Sequence, residues 1–362
     1  MDKKININEM FYMMIIFEIG TSVLFCLGID AKQDSWIAVI FAMIISFPII
    51  VMYIKIFLKS NMNFANTLQY TFGNYLGKFF SFLYGIYFFY IASRNLRDFV
   101  DLSICTLFPK THIYIFLFSM VLVVMYYLSF GIISLARISK IILPFILIIM
   151  GLQFILIGLS RHFEPTRILP VFENGVPPVL KAAFPLLVTF PFGELIAFLV
   201  IFNDVTEKNK IMKYTLYAFF ISGFILSFNN FIIISSIGVF EASRSNFPLY
   251  QVIRLLSLGG FTNFDTFYVF VMSIGIFFKI TIFTYAGLKI YKELFNLKSY
   301  NSIILPIAAI LIGTSIIIAD SYSTHILIGL KITPFYIHIP MQIIIPLFVF
   351  IILHMKKKGK TI

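Results

Sequence analysis

Long apolar stretches alternate with short polar ones along the whole chain. Ile113 to Ala136, Ile141 to Ser160, Tyr214 to Phe240 and Ile332 to Met355 contain no charged residue, and each reaches the ~20 positions needed to cross a hydrocarbon core. Backbone groups in lipid must bond to one another, and the stretches lack the alternation over ~10 residues that a barrel strand requires, so they are read as helices. The pattern predicts ten spans. Five lie near Met10–Gly28, Ile37–Leu58, Phe79–Leu107, Ile113–Phe130 and Ile141–Ser160; five more lie near Ala182–Phe202, Tyr214–Ile237, Phe267–Leu288, Ile303–Ala319 and Phe335–His354.

The longest polar connection, Arg161 to Pro178, carries four prolines and divides five spans from five. An odd number of crossings delivers the chain to the other face, so the second five enter the membrane from the side opposite the first. That is the arithmetic of an inverted repeat. The expected organisation is one membrane domain over 1–362, with repeats at 9–160 and 182–355, an outer connecting loop at 161–181 and a basic cytoplasmic tail at 356–362.

Composition agrees with the pattern, at 60% hydrophobic and 12% charged residues, about half the charge of a soluble domain. A net charge of +12 raises the question of nucleic acid. The basic residues, however, are spread between spans, and they cluster only at Lys356, Lys357, Lys358 and Lys360. With both termini cytoplasmic, most of the lysines and arginines fall on the inner face, as the positive-inside rule expects, and no nucleic-acid partner is implied. The segment Met1–Glu9 runs into an apolar stretch too long for a signal-peptide core, so the first span is expected to be retained.

Candidate chemistry begins at two helix breakers. The first span reads Phe17-Glu18-Ile19-Gly20-Thr21-Ser22 and the sixth Thr189-Phe190-Pro191-Phe192-Gly193-Glu194. Pro191 lacks an N–H, and the glycines tolerate non-helical angles. Gly20 and Gly193 are 173 positions apart, close to half the chain. Paired breaks at matching positions mark a midplane binding site, because a freed half-helix N-terminus attracts a carboxylate and freed carbonyls accept an ammonium. Such a site suits a zwitterion.

Glu18, Glu194 and Lys279 lie inside spans, where an unpaired charge costs at least ~2.5 kcal/mol. They form either a charge cluster coupled to ligand or proton, or a fixed structural pair. In the third span Arg94 and Arg97 precede Asp98 and Asp101 at i,i+4 spacing, which predicts two intrahelical ion pairs. These serve a structural network at the outer end or a gate over the site. Tyr87 and Tyr90 could offer hydroxyls lower in the same helix. Cys26 and Cys105 sit in apolar surroundings and are read as packed thiols. The five histidines show no ligand spacing, and there is no phosphate loop or nucleophile elbow, so neither a metal, a cofactor nor an enzymatic reaction is expected.

Several short segments, in order, carry a family resemblance. They are Ile7-Asn8 followed by Ile16 to Ser22; Leu96-Arg97-Asp98-Phe99 leading to Leu107-Phe108-Pro109-Lys110-Thr111; Ala136-Arg137 ahead of Ile142-Leu143-Pro144; Glu173-Asn174-Gly175 with Pro177 and Pro178; Phe190 to Glu194; and Pro248 to Arg254. On these the chain resembles the B subunits of spore-germination nutrient receptors, membrane permeases of the amino acid–polyamine–organocation superfamily. It departs from them at Lys110-Thr111-His112, where the family often places a second proline.

The resemblance implies a LeuT-like, all-α integral membrane fold of two inverted five-helix repeats with helices 1 and 6 broken. It also implies a place in the inner membrane of dormant spores, A and C partner subunits, and sensing of a nutrient germinant, commonly an amino acid. Carried onto this chain, the ligand site it implies is lined by Gly20, Thr21 and Ser22, by Thr189, Phe190, Phe192, Gly193 and Glu194, by Tyr90, and by Thr281 and Thr284. A proton-coupled amino-acid transporter and a structural scaffold are the competing readings.

Overall fold

The computed structural model describes residues 4–257 and 264–356; Lys3 and the tail lysines Lys357, Lys358 and Lys360 lie outside them. The described residues are almost wholly helical, their one β feature being an isolated bridge between Ile5 and Val205. Nine helical segments among them are long and apolar enough to cross a membrane. The chain is a multi-pass membrane protein.

Among the described residues fourteen α-helices follow in order: α1 Ile7–Ile19, α2 Ser35–Ser60, α3 Phe64–Phe72, α4 Asn74–Thr106, α5 Ile113–Ser129, α6 Ile132–Gly158, α7 Val176–Ala182, α8 Phe198–Ile201, α9 Ile211–Arg244, α10 Pro248–Ser257, α11 Phe264–Leu294, α12 Ile304–Ile317, α13 Tyr322–Leu327 and α14 Ile345–Met355. Each of the ten expected segments contains helix, interrupted in the first and sixth, but the fourth is the short α5 of 17 residues, at the lower limit for crossing. That is why nine, not ten, meet a full-length criterion.

Two boundaries moved for identifiable reasons. The sixth span begins at Val176 rather than Ala182, inside the expected outer loop, because Pro177 and Pro178 occupy its first turn, where a missing N–H breaks no helical bond. The last span begins far earlier than Phe335. α13 continues through wide π-helical turns at Ile328–Ile332 and Pro334–Ile344 into α14, so Tyr322 to Met355 forms one helical path.

Contacts among the chain ends establish one common face. Ile5 N–H donates to Asp204 O at 2.9 Å, and Thr206 N–H donates to Ile5 O at 3.0 Å. The start of the first span therefore meets the end of the sixth, and the two run antiparallel. On the same face Lys140 pairs with Glu9 at 2.8 Å, Lys208 bonds Asn61 at 2.9 Å, Lys289 pairs with Asp204, and Lys356 donates to Tyr70 O at 2.6 Å. Both ends of the described chain and the basic connections thus lie together, as the charge pattern predicts.

Packing separates an inner set of helices from an outer one. α4 with α11 and α2 with α9 form the most extensive pairs, and α1 is enclosed by α6, α9 and α11. α5 and α6 instead present Ile115, Phe118, Leu122, Ile141, Ile148 and Ile155 outward. Such a surface is a liability in water and ordinary in lipid.

Candidate functional site

α1 stops at Ile19 because Gly20 leaves the helical region (φ −25°, ψ −99°), and the chain resumes as a 3-10 turn at Ser22–Leu24. Gly20 has a second reason to be glycine. A Cβ there would lie 3.0 Å from Gly275 O, and one on Gly275 would lie 3.0 Å from the Gly20 Cα, so the first break touches α11 backbone to backbone. Small residues permit such an approach in membranes. The sixth span breaks after a π-helical turn at Ala183–Leu187 and re-forms as a 3-10 segment, Phe192–Ala197, ahead of α8. A Cβ on Gly193 would meet Gln342 Oε1 at 2.1 Å.

Lys279 of α11 joins the two breaks. Its ammonium lies 2.6 Å from Glu194 Oε2 in the sixth span and donates to Thr21 Oγ1 in the first at 3.2 Å. Thr21 passes the bond on to Asn95 Oδ1 of α4 at 3.0 Å. The Phe190 ring stands 4.5 Å and the Phe17 ring 5.5 Å from the same nitrogen. Lys279, Glu194 and Thr21 are all buried, so the two opposite charges are sustained by each other, by the Thr21 hydroxyl and by the aromatic faces. Two of the three intramembrane charges therefore pair. Glu18, two residues before Gly20 and fully buried, has no hydrogen-bond partner on either carboxylate oxygen among the described residues.

Beside this pair lies a cavity of about 40 Å3, lined by Phe25, Ile91, Arg94, Asn95, Asp98, Phe190, Glu194, Ile326, Gly329, Leu330 and His338. That is room for a few waters. A wider vestibule of about 330 Å3, lined among others by Cys26, Arg244, Asn246, Tyr322 and Lys331, opens toward the face opposite the N-terminus. Phe25, Ile326 and Leu330 line both spaces and form the layer between them.

The α4 network departs from its expected pairing. Arg97 does bond Asp101 at 2.9 Å. Arg94, however, forms no ion pair with Asp98 among the described residues: Asp98 Oδ1 accepts instead from His325 Nε2 at 2.8 Å, and Arg94 Nη2 donates to His325 O at 2.6 Å. The intrahelical spacing allowed the pair, but α13 brings a donor for the carboxylate and an acceptor for the guanidinium, and together they divide it.

The remaining expected ligand residues fall at several depths. Phe190 and Glu194 line the cavity. The buried Ser22 hydroxyl lacks a partner among the described residues, and Tyr90 OH meets Thr333 Oγ1 at 3.0 Å. Phe192 packs edge-on against Phe219 of α9. The hydroxyls of Thr189, Thr281 and Thr284 bond carbonyls of their own helices, Pro185 O at 3.0 Å, Phe277 O at 2.7 Å and Ile280 O at 2.7 Å. None of these last six residues is in the cavity wall.

Sequence reasoning missed the contribution of the last helical path. His338 Nδ1 accepts from Tyr87 OH at 2.9 Å, and Tyr87 OH accepts from Gln342 Nε2 at 2.7 Å. Tyr53 OH donates to Gln342 O at 2.6 Å, with Gly193 O 3.3 Å away, and Tyr84 OH donates to Met341 O at 2.6 Å. The wide turns leave those carbonyls for side chains to satisfy. His338 and Gln342 are i,i+4 polar residues in an otherwise apolar span, a signal that was present in the sequence. Among the described residues no cluster of His, Cys, Asp and Glu could hold a metal ion.

Comparison with known proteins supplies the context. A family model described as "Spore germination protein" matches residues 4–323. The chain is 34% identical over 359 residues to Spore germination protein KB of Bacillus subtilis (strain 168), covering 99% of this chain and 96% of that protein. It is 26% identical over 161 residues to Spore germination protein XB of Bacillus anthracis, covering 43% of each.

Proposed function

This chain belongs to the spore germination protein family, and from that premise we propose that it is the membrane subunit of a germinant receptor. A nutrient germinant of amino-acid type binds it near the bilayer midplane, between the two helix breaks. The observation that carries the reading is Lys279, one ammonium held by Glu194 of one break and Thr21 of the other, beside a cavity with charged walls. A ligand that competes for either contact changes how the two broken helices are held together.

The cavity of about 40 Å3 holds a few waters and is too small for an amino acid. Ligand access therefore requires the Phe25, Ile326 and Leu330 layer to part and join it to the vestibule. Ligand shifts the balance between open and closed forms only by its difference in affinity for them. The A and C subunits then read that balance. We place the protein in the inner spore membrane with both termini cytoplasmic, and read residues 9–160 and 182–355 as inverted repeats. The antiparallel first and sixth spans support the repeat reading, as does the pairing of second with seventh and third with eighth.

Spores carrying a Gly193→Leu variant that still assembles should lose the germinant response, because the longer side chain displaces Gln342 and fills the second break. A normal response with normal dose dependence removes the site from this position. The unpartnered Glu18 carboxylate favours one second reading, an amino-acid transporter coupled to protons. Under that reading, liposomes containing the protein accumulate labelled amino acid when a pH gradient is imposed; binding without uptake rejects it.

A further inference from the structure

Arg94 is the least satisfied charge around the cavity. It is 7% exposed, and no carboxylate lies within 4 Å of it among the ion pairs of the described residues. Nη2 is engaged by His325 O, but Nη1 has no hydrogen-bond partner among the described residues, and Arg94 forms part of the cavity wall. A buried guanidinium nitrogen without an acceptor is costly, and the cost is recovered by whatever acceptor reaches it.

The surroundings hold this guanidinium in place. Gly329, in the wide turns of the last helical path, lies against it so closely that a Cβ there would stand 2.1 Å from Nη2. The Tyr90 ring lies 5.9 Å from its central carbon. Asp98, the acid four residues on, is occupied by His325. The opposite polarity stands in the same cavity, at Glu194. A ligand carrying both charges meets the guanidinium with its carboxylate and competes with Lys279 for Glu194 with its ammonium.

We propose that Arg94 is the anchor for the carboxylate of the ligand, its Nη1 donating to a carboxylate oxygen in the cavity beneath Phe25. This rests on the nutrient-site reading above and deepens it. The carboxylate is assigned to a side chain of α4 rather than to backbone amides freed at the breaks, and the ligand class becomes compounds with a free carboxylate. A guanidinium offers a carboxylate a charge-assisted bond that an uncharged amide cannot reproduce.

The test uses the full-length chain purified in detergent and read by ligand-induced thermal stabilisation. The probes are the protein amino acids as free acids and, for each one that stabilises the wild type, its amide and its amino alcohol. The wild type should bind the free acid at least ~30-fold more tightly than the amide, the span expected for one buried charged partner. Arg94→Gln should lose at least ~30-fold in affinity for the acid and bind acid and amide alike. Gly329→Ala keeps the guanidinium and only pushes it aside, so it should weaken acid binding about tenfold with the amide little changed. It also decides the matter if Arg94→Gln does not fold.

A general structural role for Arg94 would weaken every probe equally and leave the preference for acid over amide intact. That preference, persisting at wild-type size in Arg94→Gln or Gly329→Ala, overturns the assignment and leaves the nutrient site standing. A wild type stabilised by no amino acid overturns the nutrient-site reading itself, and the anchor with it.

Discussion

The two helix breaks look alike in sequence and differ in what they rest on. At the first, Gly20 meets the backbone of Gly275, a rigid helix-to-helix contact. At the second, Gly193 sits beneath the amide end of Gln342, a side chain that belongs to a web of tyrosines and histidine on the last helical path. The first break is a fixed pivot and the second a deformable one. Lys279 is the element common to both.

The largest effect should follow removal of that common element. Lys279→Met leaves Glu194 buried without its cation, an arrangement that costs about 3–5 kcal/mol when one partner of a buried pair is lost. Thermal unfolding of the purified protein should show a much lower midpoint, and Lys279→Met combined with Glu194→Gln should recover a large part of it. A single variant as stable as the wild type would show that Lys279 does not hold the breaks together.

Next come the two glycines. A Gly20→Val side chain meets Gly275 O and Phe17 O, neither of which can step aside, so α1 and α11 must separate at about 1–3 kcal/mol. Gly193→Ala meets chiefly a movable amide, with Val188 O at 3.1 Å as its nearest backbone contact, and should cost about 1 kcal/mol or less. In a Gln342→Ala background the Gly193→Ala cost should largely vanish, whereas the Gly20→Val cost should not change. Equal responses of the two glycines to Gln342→Ala would erase the distinction between pivot and deformable break.

The smallest effect belongs to the web itself. Tyr53→Phe removes the bond to Gln342 O, and side-chain hydrogen bonds within membranes average about 0.6 kcal/mol. Its thermal midpoint should fall slightly. A fall comparable with that of Lys279→Met would mean that the tyrosine web, not the lysine, carries the second break.

Much of this arrangement was legible in the residues. Apolar length marked each crossing, because a bilayer sets a minimum run and excludes charge from it. Gly20, Pro191 and Gly193 marked the breaks, because glycine and proline change backbone options locally. Lys279 and Glu194 stood out as intramembrane charges and do meet. Spacing alone misjudged Arg94 and Asp98: i,i+4 geometry permits a pair, yet His325, 227 positions from Asp98, takes the carboxylate. It also missed the reach of the final helical path, which sets His325, Gly329, His338 and Gln342 against α4 and the second break.

By itself, then, the sequence determined that the chain lives in a membrane, where its helices cross, that its basic connections gather on one face and where two of those helices cannot continue. Each of these follows from local physics, the thickness of hydrocarbon, the cost of charge in it and the backbone limits of single residues. Only the tertiary structure decided which charges are satisfied. Lys279 is bound on both sides, while Arg94 faces a cavity with one nitrogen free. That outcome depends on competition among partners brought by distant helices, and no distance along the chain encodes who wins it.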